Sequence, residues 1–313
     1  MTIATAPGKV ILFGEHAVVY GQPAIAAPVS DVRATARIEE AEGGGVRIVA
    51  PDMGQEYRLS DAGSEDPLAT AVRLVQKVAS LDRLPDLTIS VTSNVPIASG
   101  LGSGAATAAA LIRALARHLR REDLAQDGLV SALTYEVEKI HHGTPSGIDN
   151  TVVALEKPVF FVRQQPHNRV ETFRVAKTLH LLIGDTGRRN STKEVVGDVR
   201  RQWQAQTRHF EELFTACGRI SRAARSAIEA GDLPELGRLM RENHVVLQQM
   251  TVSSPELDRL VQAAGDAGAL GAKLSGGGRG GNMVALVEDG TKRTVTEALL
   301  AAGAVRVIAS DVN

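Results

Sequence analysis

Cysteine is almost missing from this chain of 313 residues. Cys217 stands alone, so no intrachain disulfide can form, and a reducing, cytoplasmic setting is expected. Aromatic residues are few: six Phe, three Tyr and one Trp. The core must therefore be packed from Val, Leu, Ile and Ala. Neither sign of charge dominates, with 35 basic against 36 acidic residues and a formal charge of -1. Balanced charge and scarce stacking residues argue together against a nucleic-acid partner. No apolar run reaches the roughly eighteen residues that a membrane-spanning helix needs, so no membrane partner is expected. The opening residues, Met1 to Lys9, lack a charged segment followed by an apolar one, which argues against a secretory signal.

What is present is the composition of a folded globular protein, 43% hydrophobic and 23% charged. The length exceeds what one core usually organises, so two domains are expected, 1–176 and 177–313. Val32, Ala34, Ala36 and Ile38 alternate with Arg33, Thr35, Arg37 and Glu39, the period of a half-buried strand. A glycine turn at 43–45 and a strand at 46–49 follow. Leu68, Val72, Val75, Val78 and Leu81 fall at helical spacing after Asp66, and Leu87, Ile89 and Val91 alternate again. Helices are predicted over 105–119 and 127–141. In the second half an apolar strand at 179–184 precedes helices over 192–216, 219–230 and 233–250, and another begins at Pro255. Strands at 269–274, 282–287 and 305–309 follow, with a helix over 291–302 before the last. Strands and helices mix without a regular βαβ repeat, so the fold class is α+β rather than doubly wound.

Glycine is plentiful and clustered, at 43–45, 100–104 and 276–281. Asn94 to Ala106 lies between a predicted strand and a predicted helix. That context places free backbone N–H groups at a helix N-terminus, where an anion is favoured. The plainer reading is a glycine turn with Ser103 as N-cap. No Gly-Lys-Ser/Thr ends the loop, so it is not a Walker A motif. Gly276, Gly278 and Gly281 have dinucleotide-fingerprint spacing, but a strand pattern follows them instead of a helix. Protein-kinase signatures, His-Glu-x-x-His and cysteine zinc patterns are absent.

Three segments then combine. Ala6-Pro7-Gly8-Lys9-Val10-Ile11-Leu12-Phe13-Gly14-Glu15-His16-Ala17-Val18-Val19-Tyr20-Gly21 opens the chain, Pro96 to Ala106 carries the anion-type loop, and Lys273-Leu274-Ser275-Gly276-Gly277-Gly278-Arg279-Gly280-Gly281 lies near the end. In order and spacing they resemble the GHMP kinases, the family of galactokinase, homoserine kinase, mevalonate kinase and phosphomevalonate kinase. His142-Gly143-Thr144-Pro145-Ser146-Gly147-Ile148-Asp149-Asn150 narrows the resemblance to the branch that acts on mevalonate. The likeness covers nearly the whole chain. It implies a two-domain α+β fold, with an N-terminal domain like ribosomal protein S5 domain 2 and a ferredoxin-like C-terminal domain, and an active site in the cleft between them. It also implies ATP bound by Pro96, Ser99, Gly100, Leu101, Gly102, Ser103, Gly104 and Ala105, Mg2+ as cofactor, and phosphorylation of the primary hydroxyl of mevalonate.

The resemblance assigns roles that the chemistry needs. Asp149 would orient the attacking hydroxyl and take its proton; without the family it reads as a turn residue. Lys9 would sit beside it and the transferring phosphate, where a cation favours a charged carboxylate and offsets developing charge. Glu138 would hold the metal, on a helical stripe shared with Thr134 and His141. Magnesium on ATP needs only one or two protein oxygens. The family loop commonly carries a second serine where this chain has Gly104, so either Ser103 or a water fills that ligand position. Glu15, His16, Val19, Ile148, Asp149, Thr192 and Gly277 would line the substrate. An apolar wall after His16 tolerates a methyl branch and rejects a sugar, whose hydroxyls would be buried unpaired. By side-chain chemistry, not by the family pattern, Arg188 or Arg189 would pair with the substrate carboxylate, and Arg279 would touch phosphate or face solvent. Thr192 reads as an N-cap, and Arg113, Arg117 and Arg120 as a solvated helix face.

The rivals are phosphomevalonate kinase, which would need extra basic residues for its substrate phosphate, mevalonate 3-kinase, and a catalytically silent sensor on the same fold. Intact Lys9, Glu138 and Asp149 argue against the last. The expected partners are ATP and mevalonate; a homodimer is left open.

Overall fold

The computed structural model describes residues 1–97, 99–142, 145–165, 167–189 and 191–313, with His141 and His142 described in backbone only. Contacts divide the chain into two compact units, each discontinuous in sequence. The first comprises Met1–Lys9, Val32–Ile97 and Leu101–Lys157, and the second Val10–Asp31, Ala98–Gly100 and Pro158–Asn313. Two long strands, β1 (Thr2–Phe13) and β2 (Pro23–Glu40), each contribute to both.

In the first unit the sheet order is β4-β3-β5-β2, from β3 (Val46–Ala50), β4 (Gln55–Arg58) and β5 (Leu87–Ser93). β3 runs parallel to β5 and the other pairs are antiparallel. The alternation over 32–38 holds: Val32, Ala34, Ala36 and Ile38 are buried, while Arg33, Thr35 and Arg37 are not. Four helices pack on one another: α1 (Pro67–Val78), α2 (Ser103–His118), α3 (Asp127–His142) and α4 (Ile148–Leu155). α1 starts where Asp66 accepts from Ala69 N at 2.7 Å, with Pro67 in its first turn. α2 is alanine-rich and buried almost all round, because small side chains let three neighbouring helices approach it. Arg113 on α2 is buried rather than solvated, because its guanidinium answers the Ala154 carbonyl at 2.7 Å, Asp127 at 3.0 Å and Glu156 at 3.2 Å.

In the second unit β6 (Val159–Val162) and β7 (Arg169–Thr172) extend from the first half of β2. A separate antiparallel sheet has the order β11-β8-β10-β9, from β8 (Leu179–Asp185), β9 (Gly271–Ser275), β10 (Asn282–Val287) and β11 (Arg306–Val312). Between β8 and β9 run α5 (Thr192–Ala205), α6 (Thr207–Ala230), α7 (Leu233–Gln249) and α8 (Pro255–Asp266), and α9 (Lys292–Ala301) precedes β11. Strand, helices, two strands, helix, strand in that sheet order is the ferredoxin-like arrangement. The class is α+β, as expected.

The predicted helix break near residue 217 is not there. α6 runs through Gly218, and the chain breaks at Gln206 instead. Gly218 serves packing: a Cβ there would lie 2.0 Å from Gln22 Oε1. Among the described residues no helix is long and apolar enough to cross a membrane.

Candidate active site

One cluster forms within the first unit. Lys9 lies on β1, where its N–H donates to Leu101 O at 2.9 Å. Its side chain is buried, and Nζ stands 3.1 Å from Asp149 Oδ1. Asp149 lies on a helix, not in a turn: it is in the first turn of α4, after an N-cap glycine, Gly147, at φ 93°. The N-cap glycine has no side chain to cap that end, Ser146 Oγ accepts from Ile148 N at 3.3 Å, and the carboxylate in the first turn lies toward the positive pole of the helix dipole. Gly102 closes on the pair. It has φ 72°, and a Cβ there would lie 3.0 Å from Lys9 Cγ and 3.7 Å from Asp149 Oδ2. A side chain would need the Lys9 methylenes to give by a few tenths of an ångström and would be strained at that positive φ, which explains the glycine.

Gly102, not Ser103, is the N-cap of α2; Ser103 is its first helical residue. No side chain caps this end either, and the first intrahelical bond in this turn is Ala106 N to Gly102 O at 2.9 Å. The N–H groups of Ser103, Gly104 and Ala105 precede that bond and have no acceptor within the helix, an arrangement that favours an anion. In the adjoining loop Pro96, Ser99 and Leu101 are buried and Gly100 is exposed at φ 83°.

Glu138 on α3 is buried. Burial first, then the charge of Asp149, raises its pKa to about 7 against the opposing pull of Lys9. The side chain of His141, placed on the same stripe, lies outside the described residues, as do Gly143 and Thr144 of the segment that narrowed the resemblance.

A second cluster forms within the second unit. His16 Nε2 donates to Gly277 O at 3.0 Å. The other ring nitrogen, Nδ1, is buried without a hydrogen-bond partner. Burial lowers the His16 pKa to about 4, aided by Arg279 and opposed by the Gly277 bond, so the ring is neutral. Since Nε2 carries the proton, Nδ1 is a free acceptor. Thr192 packs on the same glycine: a Cβ at Gly277 would meet Thr192 Oγ1 at 2.9 Å. Val19 lies half-buried in the 3₁₀ turn Ala17–Tyr20, beside buried Ala17 and Val18.

Several expectations change. Glu15 is fully enclosed and paired with Lys273. Thr192 is not an N-cap; Ser191 is, accepting from Glu194 N at 3.4 Å. Arg188 is paired with Glu256 at 2.7 Å, and Arg189 is bidentate to Asp185 at 2.9 and 3.0 Å. Arg279 is held by Asp198 and by Thr251 O. These three guanidinium groups answer carboxylates of the protein itself. Lys273 was overlooked, although a lysine between apolar residues in a strand that reads as buried is a visible signal.

These two clusters sit in a chain that known families describe. The family model for the GHMP kinases N terminal domain matches residues 68–157, and that for GHMP kinases C terminal matches 224–305. The chain belongs to the GHMP kinase family. It is 36% identical over 321 residues to a mevalonate kinase of Thermococcus sibiricus, covering 96% of this chain and 93% of that one. It is 35% identical over 324 residues to a mevalonate kinase of Pyrococcus horikoshii, covering 98% and 94%. The solved structure of L. major mevalonate kinase in complex with R-mevalonate superposes with a TM-score of 0.84 at 31% identity, covering 100% of this chain and 96% of that one.

Proposed function

We propose that this protein is an ATP-dependent kinase that phosphorylates the primary hydroxyl of (R)-mevalonate to give 5-phosphomevalonate, a step of the mevalonate route to isoprenoids. The observation that carries this reading is the Lys9–Asp149 pair set against Gly102, at the foot of an uncapped helix, in a relative of mevalonate kinases. The N–H groups of Ser103, Gly104 and Ala105 hold the triphosphate, on the loop that Pro96, Ser99, Gly100, Leu101 and Gly102 shape. Asp149 accepts the proton of the substrate hydroxyl as its oxygen attacks the γ-phosphorus. Lys9 offsets the negative charge that builds on the transferring group. Positioning and charge do most of the work in such a transfer, and the protein makes no covalent intermediate.

The residues fit a magnesium ion. A buried carboxylate, driven toward protonation by burial and by Asp149, is relieved by a divalent cation. Among the described residues no group of three or more His, Cys, Asp or Glu side chains forms a metal cage. That suits an ion whose remaining ligands are phosphate and water. Glu138 and Ser103 would hold it, and when bound it supplies neutralisation of the phosphate oxygens.

His16 Nδ1 accepts from a substrate hydroxyl, while Val19, Thr192 and Gly277 shape the pocket around it. The sequence domains 1–176 and 177–313 and a cytoplasmic location belong to the same reading, which places no demand on a second copy. The test is phosphorus NMR of the product formed from ATP and (R)-mevalonate. A phosphate coupled to the methylene protons of the primary carbon supports the reading. A phosphate on the tertiary carbon indicates a 3-kinase, and no product with tight mevalonate binding indicates a sensor.

A further inference from the structure

The turn that carries His16 has a rare backbone. His16 has φ 58° and ψ -50°, and Ala17 N donates to Glu15 O across it at 2.5 Å. That is the positive-φ form of the γ-turn, strained for a residue with a side chain. Such a geometry persists only where its surroundings over-determine it. The restraints come from one stretch, 273–277. Ser275 Oγ donates to Ile11 O at 2.8 Å, and His16 Nε2 donates to Gly277 O at 3.0 Å. Between them, Lys273 Nζ donates to Glu15 Oε1 and, at 2.6 Å, to Leu274 O. Both side chains are fully enclosed, with the ammonium 6.0 Å from the Phe13 ring centre. β9 itself is braced from α7, where His244 Nδ1 accepts from Leu274 N at 3.3 Å.

A buried ion pair loses in desolvation about what it gains in attraction, so it is a weak source of stability. Here it fixes the residue that precedes the strained one. We propose that Lys273, acting through Glu15, is a positioning residue for His16: it clamps the turn so that the buried, unpartnered Nδ1 is presented as an acceptor to a hydroxyl-bearing substrate. The inference rests on the reading above, in which His16 touches mevalonate.

The test replaces both partners together, Glu15→Met with Lys273→Met, so that neither charge is left buried alone. The expected protein folds, raises its KM for mevalonate at least about tenfold, the scale of a lost oriented hydrogen bond, and keeps its KM for ATP within about twofold. The imidazole 15N signals of His16 should lose their single-tautomer pattern. A folded double variant with the parent's mevalonate KM and the parent's tautomer overturns the proposal. Should the double variant not fold, Glu15→Asp, which keeps both charges and withdraws the carboxylate by one methylene, is read by the same two measurements with the same two outcomes. His16→Ala separates the two levels of the argument. If it leaves the mevalonate KM unchanged, the substrate reading of His16 fails, while the tautomer signal of the double variant still decides whether Lys273 sets the ring.

Discussion

Lys9 and Asp149 lie far apart in sequence and meet at 3.1 Å. Asp149→Asn is nearly isosteric and cannot take a proton. It should lower kcat by about 10²-fold or more, the typical scale of a general base, and keep mevalonate binding within a few-fold in a direct titration. A kcat near the parent's would remove Asp149 from the base position. His16 makes a pH prediction. In the unfolded chain it takes up a proton below about 6.5, in the folded protein only near 4. As pH falls through that window the unfolded state binds more protons, so stability is lost, up to about 3 kcal/mol from this group. Glu138 acts in the opposite sense, since its raised pKa lets the folded state bind a proton first. The difference between His16→Gln and parent isolates the histidine: urea midpoints should fall less with acid in the variant between pH 6.5 and 4. Parallel slopes would mean that the ring is not buried neutral. At this scale residue type was legible but not environment. Glu15 reads as a substrate residue from its family segment and Arg113 as surface from its charge, yet each is buried against a partner that only the folded chain supplies.

Elements decide the metal question, because α2 and α3 carry the two candidate ligands. Gly104 stands on α2 where the family commonly has serine, so Glu138 on α3 should carry more of the metal binding. Glu138→Gln should raise the magnesium concentration for half-maximal rate about tenfold or more, the scale of a lost charged contact. Gly104→Ser should lower it or leave it unchanged. An unaltered magnesium dependence in Glu138→Gln would exclude Glu138 as a ligand. The strong patterns were legible at this scale: α2 from its alanines, α1 from Asp66 and Pro67, β10 from its apolar run. The short edge strands β4 and β7 were not, since they are mostly exposed and show no alternation to read. α4 was missed because Gly147 looks like a turn and its cap has no side-chain signal. The break at Gln206 carries neither glycine nor proline, whereas Gly218 suggests a break that packing against Gln22 makes unnecessary.

For the whole molecule, the linear reading placed one cut near residue 176, while contacts assemble each unit from separate stretches. Pattern along the chain cannot express that, because β1 and β2 serve both units. The four segments that carry the resemblance were legible together because each is fixed by backbone demands: positive φ at Gly14, Gly102, Gly147, Gly276 and Gly278. The substrate claim is likewise a property of the whole chain, and it is tested most directly by ADP release with (R)-mevalonate, phosphomevalonate, galactose and homoserine as competing acceptors. Mevalonate should be turned over with a kcat/KM at least about tenfold above the other three, because an unpaired buried polar group costs roughly 1–3 kcal/mol, a factor of about 5 to 150, and each rival brings at least one. Turnover of galactose or phosphomevalonate comparable to that of mevalonate would contradict the assignment.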